Sequence, residues 1–226
     1  MIHHDPKPII LDPEKEKLLK ILLWYNPNID SFQSVENEII DEKLYNDVLF
    51  EYLLSIMGMK EDKDVYILGR NDVVSEEDWE YYRDSICINC QKIIMSTYQN
   101  QTKTKNFLRV IRNSVAHGEF SFCEDMFIGF NTNKNNKKAV IKIKPTALLR
   151  ALLSISTPQF KEYVVGYAFE KLGYQICRET LVMQEDNRRL YFDLTISKGE
   201  NRYYIEIKDY KGSRYLHIED LKQYLN

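Results

Sequence analysis

The sequence lacks any long uninterrupted apolar run, although hydrophobic residues make up 44% of its 226 residues. A helix that spans a membrane needs about 20 consecutive apolar residues, so the sequence predicts no membrane span. An excess of positive charge is also missing, because 31 Lys and Arg residues are offset by 34 Asp and Glu residues, for a net charge of −3. That balance argues against a protein that coats nucleic acid nonspecifically, but it permits a local cationic site. The first residues show no basic segment followed by an apolar one, so we expect no signal peptide and a cytoplasmic protein.

Cysteine is scarce as well, with four residues at Cys87, Cys90, Cys123 and Cys177. Cys87 and Cys90 have half of a zinc-binding spacing, but no second pair of this kind follows. The segment that carries them is predicted to be helical, and His117 could join Cys123 in a zinc site only by an accident of the fold. We therefore interpret the four cysteines as buried, reduced thiols.

Helical signals dominate the first 156 residues. Apolar spacing, capping residues and prolines predict a helix over 12–25, a weaker acidic helix over 31–43, a helix over 44–57, a loop over 60–74 and a long helix over 75–98. A β-hairpin then pairs 126–130 with 139–143 around an Asn/Lys-rich turn, and a last helix covers 145–153. These predictions describe a helical bundle with one hairpin.

A predicted helix that ends at Gly118 carries the first candidate site. Apolar residues at helical spacing mark one face of residues 107–118, and Gly118 is a helix stop. Asn113 and His117 lie four residues apart and therefore share a face, with Arg112 beside them. The structural alternative is a helix end where Arg112 and His117 only complement the helix dipole.

The pattern Arg-Asn-x-x-x-His at Arg112, Asn113 and His117 resembles the Arg-to-His signature of HEPN domains. The resemblance implies a small helical bundle that pairs as a homodimer through the N-terminal domain, and a metal-independent ribonuclease site without a cofactor. RNA supplies its own nucleophile, the 2′-hydroxyl, so cleavage needs a proton-transfer group and a cation. In this role His117 would transfer the proton, Arg112 would hold the scissile phosphate, and Asn113 would orient the phosphate or the imidazole.

A second hairpin is predicted near the end of the chain, from strands over 191–196 and 202–208 and a Gly/Asn-containing turn. Side chains alternate along a strand, so Glu206 and Lys208 should point to one face. Two opposite charges on an inward face require a compensating interaction, because unpaired buried charge is costly. A metal ion held by Asp193 and Glu206, with Lys208 beside the phosphate that is attacked, would provide this interaction. The alternative is a surface hairpin with a cross-strand ion pair.

Residues 158–226 resemble the Mrr-like branch of the PD-(D/E)xK nucleases. The resemblance rests on a helix ending at Gly173, on Asp193, on the tripeptide at 206–208 and on a later polar Gln223. It implies that Glu162, which fits the family's helix position better than Glu170, joins Asp193 and Glu206 around Mg²⁺ or Mn²⁺. The ion would activate water for phosphodiester hydrolysis, and Lys208 would orient that water or stabilise the developing charge.

The predicted fold class is α+β, with a helical domain over 1–156 and a restriction-endonuclease-like α/β domain over 157–226. Thr157 and Pro158 mark the boundary. Family members continue beyond the position that corresponds to Asn226, so we expect the chain to be a fragment. Lys208, Lys211 and Arg214 are candidate phosphate contacts.

The sequence as a whole predicts a two-domain nuclease that acts on DNA, RNA or both, in a setting of anti-phage or toxin-like defence implied by the resemblances alone. Three hypotheses stay open. Both centres are active, or only the N-terminal half acts as a ribonuclease, or the protein is a non-enzymatic dimerisation and sensing module attached to a nucleic-acid-binding scaffold.

Overall fold

The computed structural model describes residues 11–25, 47–84, 87, 89–98, 101–157, 159–183 and 189–207. These residues form helices and two β-sheets, which confirms the predicted α+β class. The chain divides into two compact units, Met1–Phe160 and Lys161–Asn226. Within the described ranges, no helix combines the length and the apolar character needed to cross a bilayer.

Some helices of the first unit begin after residues whose side chains accept from free backbone N–H groups. The helices of this unit are α1 (Pro13–Lys20), which continues as a π-helical turn (Ile21–Tyr25), α2 (Asp47–Met57), α3 (Glu61–Asp64), α4 (Glu76–Asp84), α5 (Lys103–Ala116) and α6 (Pro145–Ser154). Asp12 Oδ1 accepts a hydrogen bond from Lys15 N at 2.8 Å, and Pro13 occupies the first helical position. Thr102 Oγ1 caps α5 in the same way, accepting from Lys105 N at 3.2 Å.

The first unit also contains a five-stranded sheet, with the strand order β1-β2-β5-β4-β3. The strands are β1 (Val65–Leu68), β2 (Lys92–Ser96), β3 (Phe120–Cys123), β4 (Met126–Asn133) and β5 (Asn136–Ile143). β1 and β2 are parallel, with α4 in the connection between them, and the other neighbours are antiparallel. The β4–β5 pair is the predicted hairpin. Lys134 and Asn135 form its turn with φ of 48° and 66°, as tight hairpin turns require.

Two predictions for the first unit are wrong. The segment predicted as a loop over 60–74 contains α3 and β1, and the long helix predicted over 75–98 is α4 followed by β2. Both strands belong to a sheet covered by helices, and β2 is buried at four successive residues, Ile93 to Ser96. A short apolar run of this kind looks the same in a buried strand and in a buried helix, so periodicity cannot separate the two.

The other helical predictions have different outcomes. The structure confirms helices at 12–25, at 145–153 and, within the residues it describes, at 44–57. The weaker helix predicted over 31–43 lies outside the described residues.

Helix α5 packs on strand β4, and this contact sets the position of the helix. The apolar face of α5 is closed off from solvent, with Phe107, Leu108 and Ile111 each 0% exposed. Opposite this face lies Gly129 of β4, where an added Cβ would lie 2.9 Å from Ser114 Oγ and 3.0 Å from Ser114 Cβ. Only glycine permits this close approach of helix and strand.

The second unit is a helix with an antiparallel three-stranded sheet, in the order β6-β7-β8. Its elements are α7 (Phe160–Lys171), β6 (Gln175–Met183), β7 (Arg189–Lys198) and β8 (Asn201–Ile205). Gly173 after α7 and Gly199 between β7 and β8 have φ of 82° and 61°, which glycine adopts at the lowest cost. The helix predicted to end at Gly173 and the β7–β8 hairpin are confirmed. Residues from Lys208 onward lie outside the described part of the chain.

The contact between α5 and β4 predicts the effect of Gly129→Ala. The added methyl group would overlap Ser114, so we expect the free energy of unfolding to fall by about 1–3 kcal/mol. In a Ser114→Ala background, which lacks the nearest atom, the cost should be smaller. Chemical denaturation of the four proteins of this double-mutant cycle measures the difference. An equal cost in both backgrounds would show that Ser114 Oγ is not the atom that limits the space at residue 129.

Candidate functional site

The first candidate site lies at the C-terminal end of α5. His117 follows the last helical residue, and its backbone N–H donates to Asn113 O at 2.9 Å. Gly118, with a φ of 71°, then turns the chain away from the helix. The side chain of His117 is exposed, so the imidazole is open to a ligand from solvent.

Arg112 is held in place beside this helix end. Its Nη1 donates to Asn113 Oδ1 at 3.2 Å, and the side chain is half-buried. Burial lowers the pKa of Arg112, because the low-dielectric surroundings disfavour the charged form. Its Nε is also buried and has no hydrogen-bond partner among the described residues. A half-buried guanidinium held in this way is a positioned cation, the kind of group that binds an oxyanion such as a phosphate.

The structure therefore brings two of the three predicted residues, Arg112 and Asn113, into direct contact. His117 lies one helical turn beyond Asn113, on the same side of the helix. The arrangement offers a cation and an exposed imidazole at a single helix end. This combination can bind a phosphate and move a proton.

The second candidate site lies on the sheet of the second unit. The pairing of β7 with β8 ends with Leu194 opposite Ile205, so Asp193 and Glu206 each lie one residue beyond the last pair. Just beyond the last pair, Ile207 N donates to Asp193 Oδ2 at 2.5 Å. The hydrogen bond uses one oxygen of Asp193, so the carboxylate is held at the end of the strand pair.

Glu162 on α7 lies close enough to these carboxylates to be affected by their charge. Burial is the largest cause that raises the pKa of Glu162, followed by the negative charges of Asp193 and Glu179, with a weaker contribution from Glu206. The positive charge of Arg178 acts in the opposite direction. The three predicted metal ligands are therefore electrostatic neighbours.

The donor chemistry of this site suits a hard divalent cation, because all three predicted ligands supply carboxylate oxygen. Their positions do not complete the fit. Among the described residues, no group of three or more His, Cys, Asp or Glu side chains could hold one metal ion. Lys208, predicted to act beside the ion, lies outside those residues. We therefore derive no chemical step through a metal.

Two neighbours of this site were missed by sequence reasoning. Glu179 lies on β6 between Arg178, which pairs with Leu194, and Thr180, which pairs with Phe192, and it has an unusual φ of 53° for a strand residue. Arg178 lies over the Tyr163 ring at 4.9 Å and within 4.0 Å of Glu170 Oε1. Glu170 thus faces a cation, whereas Glu162 faces carboxylates. The contacts of Arg178 join β6 to α7, and no local sequence signal encodes them.

The cysteines differ from their prediction. The four thiols are free, but only Cys123 is buried, whereas Cys87 is half-buried and Cys90 and Cys177 are exposed. Cys87 and Cys90 lie after α4 and outside any described helix, because the predicted long helix ends at Asp84.

Comparison with known proteins gives one finding. A family model described as HEPN pEK499 p136 matches residues 11–164. The matched range contains Arg112, Asn113 and His117 and ends before Asp193. Searches of curated proteins and of solved structures returned no match. The predicted HEPN resemblance is confirmed at the level of the family, and the predicted fusion to a PD-(D/E)xK domain receives no support.

The electrostatic neighbours of Glu162 can be tested directly. In Asp193→Asn the shape of the side chain is kept and its charge is lost, so the pKa of Glu162 should fall toward its ordinary value while the effect of burial persists. An NMR pH titration of the Glu162 carboxyl carbon measures this change. Glu200→Gln, at an exposed turn residue, is the matched control and should leave the titration unchanged. An unaltered titration in Asp193→Asn would show that the two carboxylates are not neighbours.

Proposed function

The chain belongs to the HEPN pEK499 p136 family, and from this membership we propose that it is a nuclease that cleaves RNA without a metal ion at the end of α5. The observation that carries the proposal is the half-buried Arg112, whose Nε lacks a partner and whose Nη1 is held by Asn113, next to the exposed His117. The family match supports this proposal because its range contains Arg112, Asn113 and His117, whereas Asp193 and Glu206 lie outside it.

The proposed reaction uses the 2′-hydroxyl of the RNA as nucleophile. His117 removes the hydroxyl proton while the 2′-oxygen attacks the adjacent phosphorus; the bond from phosphorus to the 5′-oxygen of the next nucleotide breaks, and that oxygen takes up a proton as it leaves. Arg112 donates hydrogen bonds to the phosphate oxygens, where negative charge accumulates in the transition state. Asn113 keeps the guanidinium in position through its Oδ1. No step in this sequence requires a metal ion.

A homodimer through the N-terminal unit completes the proposed centre. One copy presents one imidazole, but cleavage needs both a base for the hydroxyl and an acid for the leaving oxygen. Two copies related by a two-fold axis, with the ends of α5 facing each other, would supply two histidines and two arginines around one phosphate. RNA is the substrate class, and an anti-phage or toxin-like role is the biological setting that we propose.

The HEPN centre predicts RNA cleavage that persists in EDTA. His117→Ala should reduce the rate by about 10²–10⁴-fold, because the proton-transfer group is lost. Arg112→Lys should also lose most of the activity, since an ammonium cannot reproduce the two-donor geometry of the guanidinium. Gel analysis of labelled RNA measures both rates. Arg150→Ala, at an exposed arginine on α6, is the control and should cleave normally.

Full activity in His117→Ala would exclude this centre. Loss of activity in EDTA would exclude the metal-independent mechanism. Absence of cleavage under all conditions, combined with dimerisation and RNA binding, would favour the non-enzymatic sensing module.

A second candidate function is metal-dependent phosphodiester hydrolysis in the C-terminal unit, with Glu162, Asp193, Glu206 and Lys208 as the proposed residues and Mg²⁺ or Mn²⁺ as the cofactor. The observation that favours it is the raised pKa of Glu162, which has burial as its largest cause and the negative charges of Asp193 and Glu206 as further causes, because neighbouring carboxylates are a common feature of cation sites.

The second centre predicts DNA or RNA cleavage that requires Mg²⁺ and is lost in Asp193→Ala. His117→Ala should keep this activity, so the two centres can be assigned separately. A nuclease assay with Mg²⁺ and with EDTA makes the comparison, and Glu200→Gln serves as the acidic control. Equal Mg²⁺-dependent cleavage by Asp193→Ala and the unaltered protein would rule out the C-terminal centre.

A further inference from the structure

A pair of accessible thiols lies in the first unit, away from the end of α5. β1, α4 and β2 form a β-α-β unit, and Cys87 and Cys90 occupy the connection from α4 to β2. Both thiols are free, Cys87 half-buried and Cys90 exposed. Two cysteines with two residues between them near a β-α-β unit are a known arrangement for thiol redox chemistry.

Lys142 on β5 reaches this connection from inside the sheet. The residue is 0% exposed, and its Nζ donates to Cys87 O at 2.7 Å and to Cys90 Sγ at 3.2 Å. The ring of Tyr82 lies 5.4 Å from the same nitrogen. Among the side chains that the structure describes, no carboxylate pairs with Lys142. A buried ammonium is costly unless its donors are satisfied, and the Cys90 sulfur accepts one of its hydrogen bonds.

The environment of Cys87 also favours reaction. A hydrogen bond from the Asn89 backbone is the largest cause that lowers the pKa of Cys87, followed by a hydrogen bond with the Cys90 side chain and by the charge of Lys142. The pKa of Cys123, in the same unit, shifts in the opposite direction, because burial raises the pKa of its thiol. The reactive form of a cysteine is the thiolate, so Cys87 is the better nucleophile of the two.

We propose that Cys87 and Cys90 form a redox-active dithiol that exchanges with low-molecular-weight disulfides such as oxidised glutathione. The Cys87 thiolate attacks one sulfur of glutathione disulfide, which forms a mixed disulfide and releases one glutathione thiolate. Cys90 then attacks the Cys87 sulfur, and its proton goes to the second glutathione as that leaves. The protein loses two thiols, and one glutathione disulfide is reduced to two glutathione molecules.

The same contacts indicate that this disulfide is easily reduced. Reduction returns Cys90 Sγ to Lys142 as an acceptor, so the buried ammonium stabilises the reduced form. A disulfide with a stabilised reduced state behaves as an exchangeable bond and not as a structural crosslink. The inference is independent of the nuclease proposal, since none of Arg112, His117 or Asp193 takes part in it.

The test is incubation of the full chain with mixtures of reduced and oxidised glutathione, followed by acid quenching and peptide mass mapping. We expect a reversible disulfide between Cys87 and Cys90. Cys90→Ser should stop at a mixed disulfide of glutathione on Cys87, because the second thiol is missing. An intact Cys87–Cys90 dithiol in glutathione disulfide, with Cys177 modified instead, would overturn the proposal.

Alkylation by iodoacetamide supplies a second measurement. Cys87 should react at least about tenfold faster than Cys177, which is exposed and whose Sγ donates to Arg178 O at 3.9 Å. Lys142→Met should slow the reaction of Cys87 severalfold, with circular dichroism as the check on folding. The comparison of Cys87 with Cys177 uses the unaltered protein, so it decides the question even if Lys142→Met does not fold. Equal rates at Cys87 and Cys177 would contradict an activated thiol.

Discussion

The packing of α5 on β4 is the contact on which the rest of the first unit depends. Gly129 lets the helix approach the strand so closely that Ser114 fills the space a side chain would need. The apolar face of α5 packs against the sheet. The C-terminal end of the helix, with Arg112 and His117, therefore lies toward solvent. The proposed site is therefore built on a rigid element, as a positioned cation and a proton-transfer group require.

The two candidate centres arise from different structural sources. The end of α5 is local, since Arg112, Asn113 and His117 lie within two turns of one helix. The carboxylate site depends on strand register, because Asp193 lies on β7 and Glu206 follows β8, and the pairing of these strands brings both residues to one end of the strand pair. A local site needs only a helix that forms and ends correctly. A register-dependent site needs every strand in place.

The same distinction explains how much could be predicted from the sequence. The end of α5 at Gly118, the α1 cap and both hairpins were predicted correctly, because local signals of capping and turn chemistry specify them. The strands within 60–74 and 75–98 were missed, because a short apolar run fits a buried strand and a buried helix equally well. Only pairing with neighbouring strands in the sheet distinguishes the two. The contact of Lys142 with Cys90 joins residues far apart in the sequence, and no spacing rule could have indicated it.

The central claim is that RNA is cleaved by attack of its own 2′-hydroxyl at the end of α5. Analysis of the end groups of RNA cleaved in EDTA tests this claim most directly. The account predicts 2′,3′-cyclic phosphate ends and no cleavage at a linkage whose 2′-hydroxyl has been methylated. Products with 5′-phosphate and free 3′-hydroxyl ends, formed regardless of the methyl group, would show that water is the nucleophile and would contradict the account.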